Sequence, residues 1–328
     1  MGFDFANEWP KFGQLLIGVA VFLAVVGLLL LIVDRVPKRG HERWQAVAFL
    51  SPAIIMLTIG LVIPAIRTTT LSFFDSGGSE WVGFKNYEWM FTEPEIRTVL
   101  TNSLLWVLLV PTLATGVGLL YAVLIDRIRF EAVAKSLIFM PMAISFVGAG
   151  IIWKFVYAYR QGGEDQIGLL NQIMVWIGLE PQQWLLERTF SLNTLLLIVV
   201  MVWIQAGFAM VVLSAAIKAI PNEIVEAAKL DGANPWQMFT RVTLPSVRPA
   251  VVVVVVTISI ATLKIFDIVR TMTTGHNGTS VIANEMYSQA FRYREMGQGA
   301  ALAVFLFILV LPIVVYQVRS LRKQQELS

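Results

Sequence analysis

The chain contains no cysteine, which excludes disulfide staples and thiolate metal sites. Its two histidines, His41 and His276, are far apart, and no stretch gathers His, Asp and Glu onto one helix face as a metal or acid–base site requires. A GxxxxGK[ST] phosphate loop is absent, so no nucleotide-hydrolysing motif is present. Charge is scarce: 14% Asp, Glu, Lys and Arg against 57% hydrophobic residues, with a mean hydropathy of +0.71. A soluble chain of 328 residues cannot bury that much apolar surface, and the composition indicates a polytopic membrane protein.

Crossing about 30 Å of hydrocarbon takes roughly 20 apolar residues as a helix. Windows of that kind fall at 12–33, 46–66, 101–125, 136–158, 192–217, 249–269 and 298–318, which predicts seven transmembrane helices. The run Val251 to Val256 has strand-like composition, but an open strand edge in lipid leaves backbone groups unpaired, so it reads as helix and the fold class as all-α. Basic residues concentrate in 34–45, 126–135, 218–248 and 319–328, including Arg35, Lys38, Arg39, Arg127, Lys218 and Arg241. These segments are expected to face the cytoplasm, with the N-terminus outside and the C-terminus inside. The first apolar segment runs into DRVPKRGHER and lacks a small-residue cleavage site, which reads as a retained helix rather than a signal peptide. The basic surplus is then a topology signal with affinity for anionic lipid, and implies no nucleic acid.

Between the fifth and sixth windows lies the most ordered polar stretch, KAIPNEIVEAAKLDGANPWQMFTRVTLPSVR over 218–248. Asn222, backed by Glu223 and Glu226, suits a helix N-terminus, and Gly232 suits the left-handed residue that ends that helix. Asn234 and Pro235 read as the cap and first residue of a second short helix, closed before Pro245. Two spans are thus joined by a capped helical hairpin.

The spacing Glu226-Ala227-Ala228, three residues, Gly232, nine residues, Val242, one residue, Leu244-Pro245 resembles the EAA loop of binding-protein-dependent ABC importer permeases, with Val in place of the usual Ile. SPAIIMLTIGLVIPAIRTTTLSFFD at 51–75, WVGFKNYEWMF at 81–91 and LIFMPMAISFVGAGIIWKFVY at 137–157 resemble sugar-importer permeases, and the tail stretch over 266–304 resembles the alpha-glucoside branch of them. The resemblance implies a six-helix permease core within 46–328, with 1–45 as an extra N-terminal helix and cytoplasmic linker. It also implies a coupling site made of Glu226, Ala227, Ala228, Asp231, Gly232, Ala233, Leu244 and Pro245, docked on an ATP-binding subunit. Expected partners are a second permease subunit, two copies of the ATP-binding subunit, an extracytoplasmic solute-binding protein and a maltose-, trehalose- or sucrose-like substrate in a bacterial inner membrane. ATP and Mg would sit on the partner ATPase, with no cofactor or metal in this chain.

Polar residues inside the spans carry the remaining expectations. Lys264 and Asp267, three apart, are expected to share a helix face in the sixth window, 249–269, where each charge costs about 2.5–3.5 kcal/mol on insertion scales. Trp203 and Gln205, midway along the 192–217 window, offer a stacking surface and a hydrogen-bonding amide to a sugar. A secondary transporter or channel using Lys264 and Asp267 without an ATPase is the alternative from another class; ABC permeases for peptides, phosphate or polyamines are the nearest within the class. Gly60, Gly116, Gly118, Gly148, Gly150 and Gly207 are expected to permit close helix crossings, and Pro64, Pro111 and Pro141 to kink their helices.

Overall fold

A computed structural model describes residues 5–34, 41–126, 129–161, 165–188 and 191–325. Nearly all of it is helix; among the described residues the one β-bridge joins Phe74 to Trp81. The chain divides into two compact units, Met1–Arg67 and Thr68–Ser328. The first holds α1 (Phe5–Asp34) and α2 (His41–Leu57), which pack on each other, then a π-helical turn, Thr58–Val62, and the start of α3 (Ile63–Leu71). Arg35, Lys38 and Arg39 of the expected linker, and Arg127 of the next basic segment, lie outside the described residues.

In the second unit, α4 (Lys85–Thr92) precedes α5 (Pro94–Ile125), which starts with proline at its first position and Glu95 in its first turn, both suited to a helix start. α5 lies along α9 (Leu192–Lys218), and the pair forms the spine of the unit. Trp106, Leu197, Met201, Met210 and Leu213 are fully buried between spans. Lipid tails offer no hydrophobic incentive for helices to associate, so close packing has to hold them. Gly118 supplies it: a Cβ there would stand 2.4 Å from Ala209 Cβ and 2.8 Å from the Met210 amide. Gly207 does the same for α9 against the Ile138 carbonyl, at 2.6 Å, whereas Gly116 faces open space.

Five described helical stretches are long and apolar enough to cross a bilayer: Phe49–Leu71, Pro94–Ile125, Leu192–Lys218, Pro235–Leu263 and Met296–Arg319. A sixth crossing requires counting as one the pair Glu131–Ala143 and Phe146–Val156, which meet at 101°. The window at 12–33 is helical, but its apolar described part, Phe12–Gly27, is shorter than a crossing needs, so seven spans are not reached among the described residues. The bend has a local cause. Pro141 sits in a 3-10 turn (Met140–Ala143) that ends α6 (Glu131–Phe139), Ile144 turns to extended backbone, and Ser145 Oγ caps α7 (Phe146–Val156) by accepting from the Gly148 amide at 3.1 Å.

α8 (Leu169–Trp176) anchors the segment between α7 and α9 through Asn171, which donates to the Ala158 and Gln182 carbonyls and accepts from the Gln182 amide and Trp184 Nε1. After α9 come α10 (Asn222–Leu230), α11 (Pro235–Gln237), a π-helical turn at Met238–Thr243 and α12 (Leu244–Leu263). Two of the described π turns, Thr58–Val62 and Met238–Thr243, lie one residue ahead of a proline, Pro64 and Pro245 respectively. Proline donates no hydrogen bond and its ring crowds the carbonyl four residues back, and widening the preceding turn accommodates both defects without a sharp kink. The unit closes with α13 (Asp267–Met272), α14 (Ile282–Tyr287), a third π turn at Ser288–Tyr293 and α15 (Met296–Gln325), which packs on α4, α12 and α14.

Candidate functional site

The polar stretch after α9 forms a closed hairpin. Gly232 has φ +78°, the Ala233 amide donates to the Ala228 carbonyl at 3.0 Å, and the Gly232 amide donates to Lys229 at 3.0 Å. These two bonds make a Schellman closure, which satisfies the last carbonyls of α10 and turns the chain sharply. Asn234 then caps the next helix as its sequence predicts: its Oδ1 accepts from the Gln237 amide at 2.8 Å while Gln237 Oε1 accepts from the Asn234 amide at 2.9 Å.

Two expectations are corrected. The residue before α10 is Pro221, and Asn222 is the first helical residue, so Asn222 does not cap it. The second helix does not stop before Pro245; it continues through the π turn into α12, giving one 29-residue stretch, Pro235–Leu263. The hairpin is therefore one short helix set against the extended foot of a span, a stiffer arrangement than two short helices. Glu226, Ala227, Asp231 and Gly232 lie on its surface, with Ala228 and Ala233 half-buried and Leu244 and Pro245 exposed at the foot. Two apolar side chains that sequence reasoning passed over, Leu230 at 89% and Trp236 at 71% exposure, flank the turn. The signal for them was a large apolar residue close on either side of the Asp231-Gly232-Ala233 turn.

Behind the hairpin, Glu131 Oε1 accepts from Lys135 Nζ and Lys218 Nζ, each at 2.5 Å, and Lys218 Nζ lies 3.7 Å from Asp126. Lys135 also donates to Ser214 Oγ. The start of α6 is thereby tied to the end of α9, where the hairpin begins. The i,i+4 spacing of Glu131 and Lys135 was visible in the sequence; the third member, 83 positions further on from Lys135, was not.

Midway along the bundle the expected substrate-path residues are only partly brought together. α12 ends at Leu263; Lys264 leaves the helix and α13 begins at Asp267. Lys264 and Asp267 thus sit on either side of a break rather than on one helix face, and among the described residues no ion pair joins them. Lys264 is exposed. Asp267 shares a cavity of about 400 Å³ with Gln205, Ile204 and the bend residues Ile144 and Ser145. Gln205 is the midpoint of α9, about 20 Å of helix from either end. Trp203 points elsewhere, meeting Trp153 edge-on at 5.6 Å within the core. Two broken helices therefore converge on one buried amide, an arrangement in which helix termini and polar side chains line a cavity at membrane depth. Ser145, unnoticed in the sequence, is signalled by its place four residues after Pro141.

Residues 96–323 match the family model for the binding-protein-dependent transport system inner membrane component. The chain belongs to that family. Among its curated relatives, this inner-membrane component is 48% identical over 279 residues to the osmoprotective compounds uptake permease protein GgtC of Synechocystis sp., covering 85% of this chain and 99% of the relative. It is also 48% identical over 277 residues to the alpha-glucoside transport system permease protein AglF of Rhizobium meliloti, covering 84% and 82%. A solved bacterial ABC transporter involved in importing the acidic polysaccharide alginate superposes with a TM-score of 0.74 at 25% identity, covering 87% of this chain and 98% of the other.

Proposed function

We propose that this inner-membrane component is one of two permease subunits of an ATP-driven importer for an alpha-glucoside or a similar small glycoside. The observation that carries the reading is the hairpin at 218–248, closed on both sides of its turn and presenting Glu226, Asp231, Leu230 and Trp236 outward. A membrane protein working alone has no use for a stiff knob of mixed acidic and apolar surface; a motor subunit does. Carboxylates there suit basic partner groups, and the paired alanines allow close approach. ATP and Mg bind the partner ATPases, two copies per importer, and a solute-binding protein delivers the sugar at the other end of the bundle. In this reading the N-terminus is outside and the C-terminus and hairpin are cytoplasmic, in line with the distribution of basic residues.

The mechanism follows from rigidity. Closure of the ATPases moves the docked hairpin as a body, and α9 and the Pro235–Leu263 stretch, rooted in it, tilt together. The Gln205–Asp267 cavity lies where α9 meets two helix breaks, so that tilt changes its access. Sugar preference rests on the two permease relatives at 48% identity, one of them named for alpha-glucoside transport. The ion-driven alternative loses its main support, because Lys264 and Asp267 do not form a shared polar face. Reconstitution with the partner permease, ATPase and solute-binding protein in vesicles tests the proposal: ATP-dependent uptake of maltose, trehalose or sucrose is expected. Uptake by this chain under an ion gradient with no ATPase present sinks it.

A further inference from the structure

At the end of the unit remote from the hairpin, the first turns of α5 and α9, the loop after α13 and α14 enclose a cavity of about 580 Å³, within the roughly 300–1,000 Å³ usual for small-molecule sites. Its floor is preorganised. Thr274, Gly275, Asn277 and Gly278 all have positive φ, between 59° and 82°, a path that non-glycine residues resist. Two spans hold it in place: Asn102 Nδ2 donates to the Gly278 and Ser280 carbonyls at 2.6 and 3.0 Å, and Asn193 Nδ2 donates to the Asn277 carbonyl at 2.8 Å.

Within this wall Asn284 is 1% exposed; its Nδ2 donates to Ser280 Oγ at 2.9 Å, and its Oδ1 has no partner among the described residues. A buried amide oxygen without a donor is costly, and a turn of the Asn284 amide toward the cavity that the residue lines would bring it a ligand hydroxyl. The charges lining the cavity balance, Glu95 and Glu285 against Arg188 and Arg292, so the lining does not select an anion or a cation. Donors and acceptors side by side, with the Tyr293 ring also on the wall, match a neutral polyhydroxylated molecule, in which each hydroxyl both gives and receives a hydrogen bond. The cavity is separate from the one at Gln205, which lies about 20 Å further along α9.

We infer that this cavity is a receiving site for a neutral glycosyl unit, occupied before the sugar reaches the Gln205–Asp267 cavity. The inference rests on the sugar-importer reading and the orientation given above. The experiment is saturation-transfer NMR with maltose on the complete permease–ATPase complex in nanodiscs, without solute-binding protein. Signal is expected from the unaltered complex and from Gln205→Leu. In Asn284→Leu and, because that buried change perturbs packing, in the exposed variant Arg292→Gln, affinity is expected to fall about tenfold, the loss of roughly one hydrogen bond. Three results overturn the inference: no signal from the unaltered complex, a signal indifferent to both cavity variants, or variants that weaken docking of the solute-binding protein while leaving maltose signal intact. Failure of the underlying reading is a different result, namely no ATP-dependent uptake of any sugar by the unaltered importer.

Discussion

The Ala233 amide reaches across Gly232 to the Ala228 carbonyl at 3.0 Å, so the two alanines flanking the turn are locked by a residue that holds φ +78°. A Cβ on Gly232 meets nothing within 4 Å, so substitution there acts through backbone strain alone. The left-handed conformation costs an L-residue about 1–2 kcal/mol, more when the side chain is β-branched. Gly232→Val is expected to leave membrane insertion intact and to uncouple sugar uptake from ATP hydrolysis, while Gly232→Asn, which tolerates positive φ, keeps most of the coupling. The ratio of sugar moved to ATP hydrolysed in vesicles reads this directly; equal ratios for Val and glycine would remove the hairpin from the mechanism.

Gln205, on α9, and Asp267, at the start of α13, share the mid-bundle cavity, and Gln205 lies about 20 Å along α9 from the hairpin. Gln205→Leu and Asp267→Ala are therefore expected to raise the KM for sugar uptake about tenfold, as loss of one hydrogen bond does, with basal ATPase activity unchanged. Trp203→Leu, whose ring packs on Trp153, is expected to lower stability without that KM effect. Uptake kinetics and thermal unfolding of the three variants separate the roles, and a KM change confined to the Trp203 variant would reverse the assignment.

Asp75 offers a pH test outside the spans. Its Oδ1 accepts from the Ser79 amide at 2.7 Å and the Glu80 amide at 3.0 Å, and these backbone donors, Glu80 foremost, hold its carboxyl below the usual range. A depressed folded value means that the carboxylate's contribution is complete above the unfolded carboxyl range and is lost as pH falls through the folded value. Amide exchange at Ser79 and Glu80 is expected to stay slow, relative to the intrinsic rate, from neutral pH down through the ordinary aspartate range and to lose protection only below it. Asp75→Asn should show weaker protection at every pH. A loss of protection already complete at the ordinary aspartate pKa would contradict the geometry.

The sequence disclosed what depends on local chemistry. Asn234 and Gly232 behave as a cap and a turn because short-range hydrogen bonding decides both. Apolar length found the straight spans for the same reason. What escaped was long-range or defect-driven. Lys264 and Asp267 are separated by a helix break in a stretch whose hydropathy runs on smoothly, and the 101° bend at Ile144–Ser145 lies inside one apolar window. Hydropathy averages over such breaks, since the residues on both sides stay in lipid or protein. Pairing Gln205 with Asp267, 62 positions apart, required the packing of α7 and α13 beside α9.

That packing makes a last prediction, at the spine itself. Gly116 and Gly118 are both interior to α5 and equally plausible as contact glycines by sequence, yet a Cβ on Gly116 meets nothing within 4 Å, while one on Gly118 would press to 2.4 Å on Ala209 Cβ and 2.8 Å on the Met210 amide. The second obstacle is backbone and cannot rotate away, so α5 and α9 must separate. Overpacking of this kind costs about 1–3 kcal/mol. Gly118→Ala is expected to lower the thermal stability of the purified complex and to slow uptake, because the spans that tilt with the hairpin no longer seat. Gly116→Ala, gaining helix propensity on an open face, is expected to match or slightly exceed the unaltered chain. Identical unfolding temperatures for the two alanine variants would mean that α5 and α9 do not touch at Gly118, and the lever would lose its fulcrum.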